Sequence, residues 1–139
     1  MHKGLKNENK KILDKLYIII YNLYNFNKNQ KRMEYRDDLD KDLINRFKND
    51  KEFAKMYLDN EIEEYNKTGN IYFVLDTLKL MATAYGWTKL ERETGLKRAT
   101  LYNTLNNKSE PKISTFQKIL HALGFVSEIK LSNNQYKTI

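Results

Sequence analysis

A single proline, Pro111, and only five glycines stand in a chain of 139 residues. Four of the glycines, Gly69, Gly86, Gly95 and Gly124, each follow a stretch of helical periodicity. With so few fixed breaks the backbone is free to run in hydrogen-bonded turns, and glycine is the residue best able to close a helix in the left-handed region. The pattern therefore predicts an all-α chain of short helices joined at glycine turns. The length suits one compact domain with an appendage.

The first stretch, about residues 9–26, puts Ile12, Leu16, Ile19, Leu23 and Phe26 on one helical face. Its apolar run is too short to span a bilayer, and no small-residue cleavage site follows it. Asn25–Arg32 is polar enough for a linker. After Met33 comes the acidic stretch EYRDDLDKD, then a helix at about Lys51–Lys67 with Ala54, Tyr57, Leu58, Ile62 and Tyr65 inward. The next helix, about Ile71–Tyr85, has Asn70 as its cap and carries a wide apolar stripe of Ile71, Val74, Leu75, Leu78, Met81, Ala82 and Tyr85. Thr88 with Glu91, and Ser114 with Gln117, have capping-box spacing at the starts of two further helices. A helix over Arg98–Leu105 lies between them. Phe125–Leu131 alternates as a short strand would.

Forty per cent apolar and 12% aromatic residues argue against wholesale disorder. Cysteine is absent and the two histidines are His2 and His121, so disulfides, thiolate metal sites and cysteine nucleophiles are excluded. The net charge of +7 is partly a matter of residue bias, since Lys, Asn, Ile and Tyr fill 57 positions, as AT-rich codons would give. Its distribution says more. Residues 1–32 are +6, residues 33–76 are −5 and residues 77–139 are +6. A basic segment beside an acidic one suggests surfaces for different partners.

Trp87–Leu105 is the informative stretch. Two short helices meet at Gly95-Leu96, and Leu90, Leu96, Leu101 and Leu105 are placed to pack on the preceding helix. This is the layout of a helix-turn-helix, with the outer face of the second helix free for a major groove. Arg98, Ala99, Tyr102, Asn103 and Asn106 fall on that face. Arginine suits guanine, asparagine suits adenine, and alanine suits a thymine methyl. Thr88, Lys89, Lys97 and Thr100 are placed for phosphates.

From about Lys51 to Leu131 the chain resembles the downstream addiction-module antitoxins, a HigA-like family with a Cro/C1-type (lambda-repressor-like) helix-turn-helix. The matching pieces, in order, are FAKMYLDNEIEEYNKTGN, VLDTLKLMATAYGWTKLERETGL and LYNTLNNKSEPKISTFQKILHALGF. Two positions depart from the family's habit. Glu91 stands where a small residue is usual, and Lys97 stands where serine commonly starts the recognition helix. The resemblance implies a small cytoplasmic repressor that binds double-stranded operator DNA. It also implies neutralisation of a RelE/HigB-like toxin encoded just upstream, and a homodimer is expected to read two half-sites.

The expected organisation is a basic N-terminal helical extension over 1–32, an acidic linker and helix over 33–69 facing the toxin, a lambda-repressor-like domain over 70–132 and a polar tail over 133–139. Translation starting at Met33 is an alternative account of the extension. A solitary phage-type or Cro/C1-type transcriptional regulator without a toxin is the second reading. The third is a membrane-surface module using Tyr17, Tyr21, Tyr24 and Phe26, although membrane contact is not expected. No cofactor or metal is expected, and no catalytic residues, because no catalytic triad, phosphate loop or paired-carboxylate set stands apart from helix-face spacing. Asp37-Asp38 and Glu63-Glu64 are sequence neighbours whose side chains diverge on a helix.

Overall fold

The computed structural model describes residues 2–26, 33–106 and 110–133. Seven helices account for nearly all of them. They divide between two compact units, Met1–Leu43 and Ile44–Ile139. Most of the expected linker, residues 27–32, and most of the polar tail, residues 134–139, lie outside the described residues.

The first unit holds α1, His2–Phe26, and the first part of α2, Met33–Asn49. The acidic stretch after Met33 is thus helical. Its carboxylates anchor two tyrosines of α1: Tyr17 donates to Asp42 at 3.1 Å, and Tyr21 donates to Asp40. The two rings are stacked with centroids 6.5 Å apart. The inward face differs from the expected one. Asp14, Ile18 and Tyr21 are buried, whereas Ile12, Leu16, Ile19 and Leu23 are all about half exposed or more. Hydroxyl groups reaching aspartates have won over the longer apolar stripe. The side chains of Tyr24 and Phe26 lie outside the described residues.

In the second unit α3, Lys51–Thr68, starts at Asp50, whose carboxylate accepts from Phe53 N–H at 3.0 Å. It ends at Gly69 in the left-handed region. Phe53, Ala54, Tyr57, Leu58 and Glu61 face inward, while Ile62 is half-buried and Tyr65 is exposed, contrary to expectation. Phe53, outside the expected inward set, packs with Phe47 and Tyr57 at centroid distances of 5.9 Å each, Phe47 and Tyr57 lie 5.3 Å apart, and the Arg46 guanidinium sits 3.6 Å over the Phe53 ring.

α4, Tyr72–Tyr85, is the central helix, against which α3, α5 (Trp87–Thr94) and α6 (Arg98–Leu105) all pack. Val74, Leu75, Leu78, Met81 and Ala82 are buried along its expected stripe. The cap position is Ile71 rather than the expected Asn70 and makes no side-chain cap, though the Asn70 side-chain oxygen accepts from Tyr72 N–H at 3.0 Å just before it. α7, Ile113–Ala122, packs on α5 through Ile119 and Leu120. It begins at Lys112 without a side-chain cap, so Ser114 and Gln117 do not form a capping box. Its end is a Schellman turn: Gly124 N–H donates to His121 O, and Phe125 N–H to Leu120 O.

The expected strand over Phe125–Leu131 is absent, and no strand occurs among the described residues. An isolated strand has no ladder to hold it.

Candidate nucleic-acid interface

The site is built on the turn between α5 and α6. Gly95 adopts φ 69°, and its N–H donates to Glu91 O at 2.9 Å, ending α5. The Thr94 hydroxyl donates to Leu90 O at 2.7 Å and accepts from Leu96 N–H at 3.2 Å, which fixes the turn on both sides. Leu90, Leu101 and Leu105 are buried and Leu96 is half-buried, as the spacing required. Burying each such leucine stabilises the unit by about 1.5–3 kcal/mol.

α6 then presents one exposed face. Lys97, Ala99, Thr100, Tyr102, Asn103 and Asn106 are exposed, together with Thr88 and Lys89 on α5. Arg98 is half-buried, and its Nε and one of its two terminal nitrogens are occupied. Its Nε and one terminal nitrogen reach Glu91 Oε2 at 3.1 and 2.9 Å, and a terminal nitrogen donates to the Thr88 hydroxyl at 2.8 Å. The other Glu91 oxygen accepts from Arg98 backbone N–H at 2.9 Å. Thr88 and Glu91 consequently do not cap α5, which starts one residue earlier at Trp87 with no side-chain cap. The carboxylate of Glu91 caps α6 instead, supplying the acceptor that Lys97 at the cap position lacks. Glu91 is the residue whose role sequence reasoning placed in the wrong helix. The signal was present: a carboxylate at the usual small-residue position and a missing acceptor at residue 97.

Three further contacts seat α6. Tyr102 packs on Trp87 with ring centroids 4.4 Å apart. Asn106 accepts from Lys79 Nζ at 2.9 Å and donates to Tyr102 O at 2.8 Å. Both Asn106 and Arg98 are therefore engaged within the protein, whereas among the described residues Lys97, Thr100 and Asn103 make no such side-chain contact. Nearby, Lys89 Nζ lies 4.3 Å over the ring of Tyr85. The Tyr85 hydroxyl donates to Glu93, and that hydrogen bond, helped by slight desolvation and the carboxylate's charge, holds its pKa above the ordinary tyrosine value.

Lys89 also stands on the rim of an open groove of about 680 Å³, shared with Lys48, Lys51 and Lys55 above a floor that includes Phe47 and Phe125. No group of residues suited to hold a metal ion occurs among the described residues. No helix among them is long and apolar enough to cross a membrane. His121 is exposed on α7.

No curated protein and no solved structure matches this chain. A family model described as "probable addiction module antidote protein" matches residues 39–131, about two thirds of the length, spanning α3 to α7 and the turn at Gly95. By that match the chain belongs to the family of probable addiction module antidote proteins.

Proposed function

We propose that this protein is the antitoxin of a type II toxin–antitoxin module, which neutralises a RelE/HigB-like toxin and represses its own operon by binding operator DNA. The antidote role follows from the family, and the DNA arm rests on one observation. α6 buries Leu101, Thr104 and Leu105 while exposing Lys97, Ala99, Thr100, Tyr102 and Asn103. An eight-residue helix with one apolar side and one cationic, amide-bearing side suits a major groove.

The contact roles are redistributed by the geometry. Asn103 is the best base reader, able to pair with adenine, and Ala99 is placed for a thymine methyl. Lys97, Lys89, Thr88 and Thr100 are assigned to phosphates. Arg98 serves as a positioning residue, since its fork already holds Glu91 and Thr88. Asn106 does likewise through Lys79. Two copies on a two-fold operator, with recognition helices about 34 Å apart, are the expected arrangement.

Toxin contact is assigned to the acidic region over 33–69, whose charge complements a basic RNA-cleaving partner. The reaction chemistry belongs to that partner, and this chain is proposed to act in the cytoplasm, without cofactor or catalysis. Co-expression with the product of the upstream gene tests the reading. Growth rescue and a co-purifying complex are expected. A chain that shifts its own promoter in a gel yet neither rescues nor binds that product is a solitary regulator instead.

A further inference from the structure

The open groove that carries Lys89 on its rim is walled by five pieces of the second unit. They are the end of α2, the start of α3, the last turn of α4, the first turn of α5 and the Schellman turn after α7. Local bonds fix the corners. Asp50 caps α3, Gly86 N–H closes α4 onto Ala82 O at 2.9 Å, and Phe125 N–H is held by Leu120 O at 2.9 Å. The walls are therefore formed before a ligand arrives, which keeps the ordering cost of binding small. The volume of about 680 Å³ falls within the range of about 300–1,000 Å³ usual for ligand sites.

Floor and rim differ in chemistry. Phe47 and Met81 are buried in the floor, and Ala84, Leu123 and Phe125 are half-buried there. The rim holds four exposed lysines against one carboxylate, Glu52, a net +3. Two of the four are engaged: Lys55 with Asp59 at 2.5 Å, and Lys89 over the Tyr85 ring. Among the described residues Lys48 and Lys51 make no ion pair or side-chain hydrogen bond. Three of these lysines belong to the segment of net negative charge, 33–76, so the averaged charge concealed a cationic face that only the fold assembles.

That combination selects the occupant. A wholly apolar ligand would strip water from the ammonium groups and put nothing in its place. A phosphate backbone would meet the lysines but leave the phenylalanine and leucine floor in water. Carboxylates on either side of an aromatic or branched aliphatic anchor satisfy both, with the lysine stems lying along the apolar surface. We propose that this groove docks an acidic peptide segment of a partner protein, anchored on the floor by one or two apolar side chains. The partner it fits is opposite in charge to the basic toxin assigned to the acidic region, and the proposal rests on neither the toxin nor the operator reading.

Fluorescence anisotropy with the full chain tests it, using the dye-labelled, C-amidated peptide Glu-Glu-Phe-Leu-Asp-Glu. Saturable binding is expected. Gln-Gln-Phe-Leu-Asn-Gln, which keeps the anchor without the charge, and Glu-Glu-Gly-Gly-Asp-Glu, which keeps the charge without the anchor, should each bind at least roughly tenfold more weakly. Lys51→Glu should weaken the first peptide roughly tenfold. Lys118→Glu, the same charge change at an exposed position of α7 outside the groove, should leave it unchanged. Glutamate at position 51 stands in the first turn of α3, where the helix dipole favours it, and unchanged circular dichroism and thermal unfolding will verify the fold. Amide shifts at Ala84, Lys89 and Gly124 on adding the peptide are expected to mark the groove.

The proposal is overturned if the first peptide does not saturate, or if the glycine peptide binds as tightly. It is overturned equally if Lys118→Glu weakens binding as much as Lys51→Glu, which would mean general charge attraction. If Lys51→Glu releases a duplex of unrelated sequence but not the peptide, the groove belongs to phosphates instead. No arm contains the toxin or the operator, so failure here leaves both of those readings standing.

Discussion

Replacing Glu91 with alanine removes a helix cap and an ion pair at once, and their sizes can be worked from the geometry. The hydrogen bond from Arg98 N–H to Oε1 is a helix cap, and losing it costs about 1 kcal/mol. The ion pair from the Arg98 guanidinium to Oε2 has side chains 41% and 31% exposed, so solvent screening holds its share to about 0.5 kcal/mol. Glu91→Ala should therefore destabilise the domain by about 1.5 kcal/mol in urea unfolding, with the slope of the transition unchanged. Glu91→Gln keeps an acceptor for the cap and should lose only about 0.5 kcal/mol.

The decisive variant is Glu91→Ala/Lys97→Ser. Lys97 has φ −68° and ψ 148°, the extended conformation of a capping residue, so serine there can accept from the first turn of α6. It should recover about 1 kcal/mol of the loss. Amide hydrogen exchange gives an independent reading, since Arg98 N–H should lose protection in Glu91→Ala. If Glu91→Ala shifts the midpoint no more than Glu110→Ala, an exposed control, or if Lys97→Ser rescues nothing, the assignment of a cap from the neighbouring helix is wrong.

Leu101→Ala should destabilise the domain by about 2–5 kcal/mol, because the side chain is fully buried and leaves a cavity; thermal or urea unfolding reads it. Gly95→Ala should cost about 1–2 kcal/mol through its positive φ alone, as no atom lies within 4 Å of an added Cβ, and Gly95→Asn should cost less in the same assay. In gel shifts over a salt series, Lys97→Ala and Lys89→Ala should weaken all operator variants alike and flatten the salt dependence. Asn103→Ala should lose roughly 1–3 kcal/mol on one base pair only. Arg98→Ala should weaken every operator variant without relaxing discrimination at any; selective relaxation would return it to the base readers.

The helical order was legible because glycine and apolar spacing act locally. Gly69, Gly95 and Gly124 all lie at positive φ where a helix ends, and the α4 stripe is buried from Val74 to Ala82, with Ile71 and Tyr85 at its ends half-buried. What escaped the sequence depends on groups far apart in it. The inward face of α1 turned on Tyr17 and Tyr21 reaching aspartates 25 and 19 residues away. The helical state of the stretch after Met33 was hidden by its carboxylates, which read as linker. The strand failed because alternation signals suitability for pairing and says nothing about whether a partner strand exists in the same chain. At the site, Ala99, Tyr102, Asn103 and Asn106 are exposed as expected, but Arg98 is half-buried, and it and Asn106 could be recognised as engaged only once Glu91 and Lys79 were in place.

Those contacts have a thermodynamic consequence for recognition. α6 is held at its start by Glu91, along its length by the Trp87–Tyr102 ring contact and at its end by the Lys79–Asn106 bond. A helix fastened at three points has little rotamer or backbone freedom left to surrender, so binding to any partner on that face carries a small ordering cost. Adjustment between the two surfaces must then come from the partner. For a duplex this means that bending and groove width, read at base pairs the protein never touches, would contribute to selectivity alongside the few free side chains.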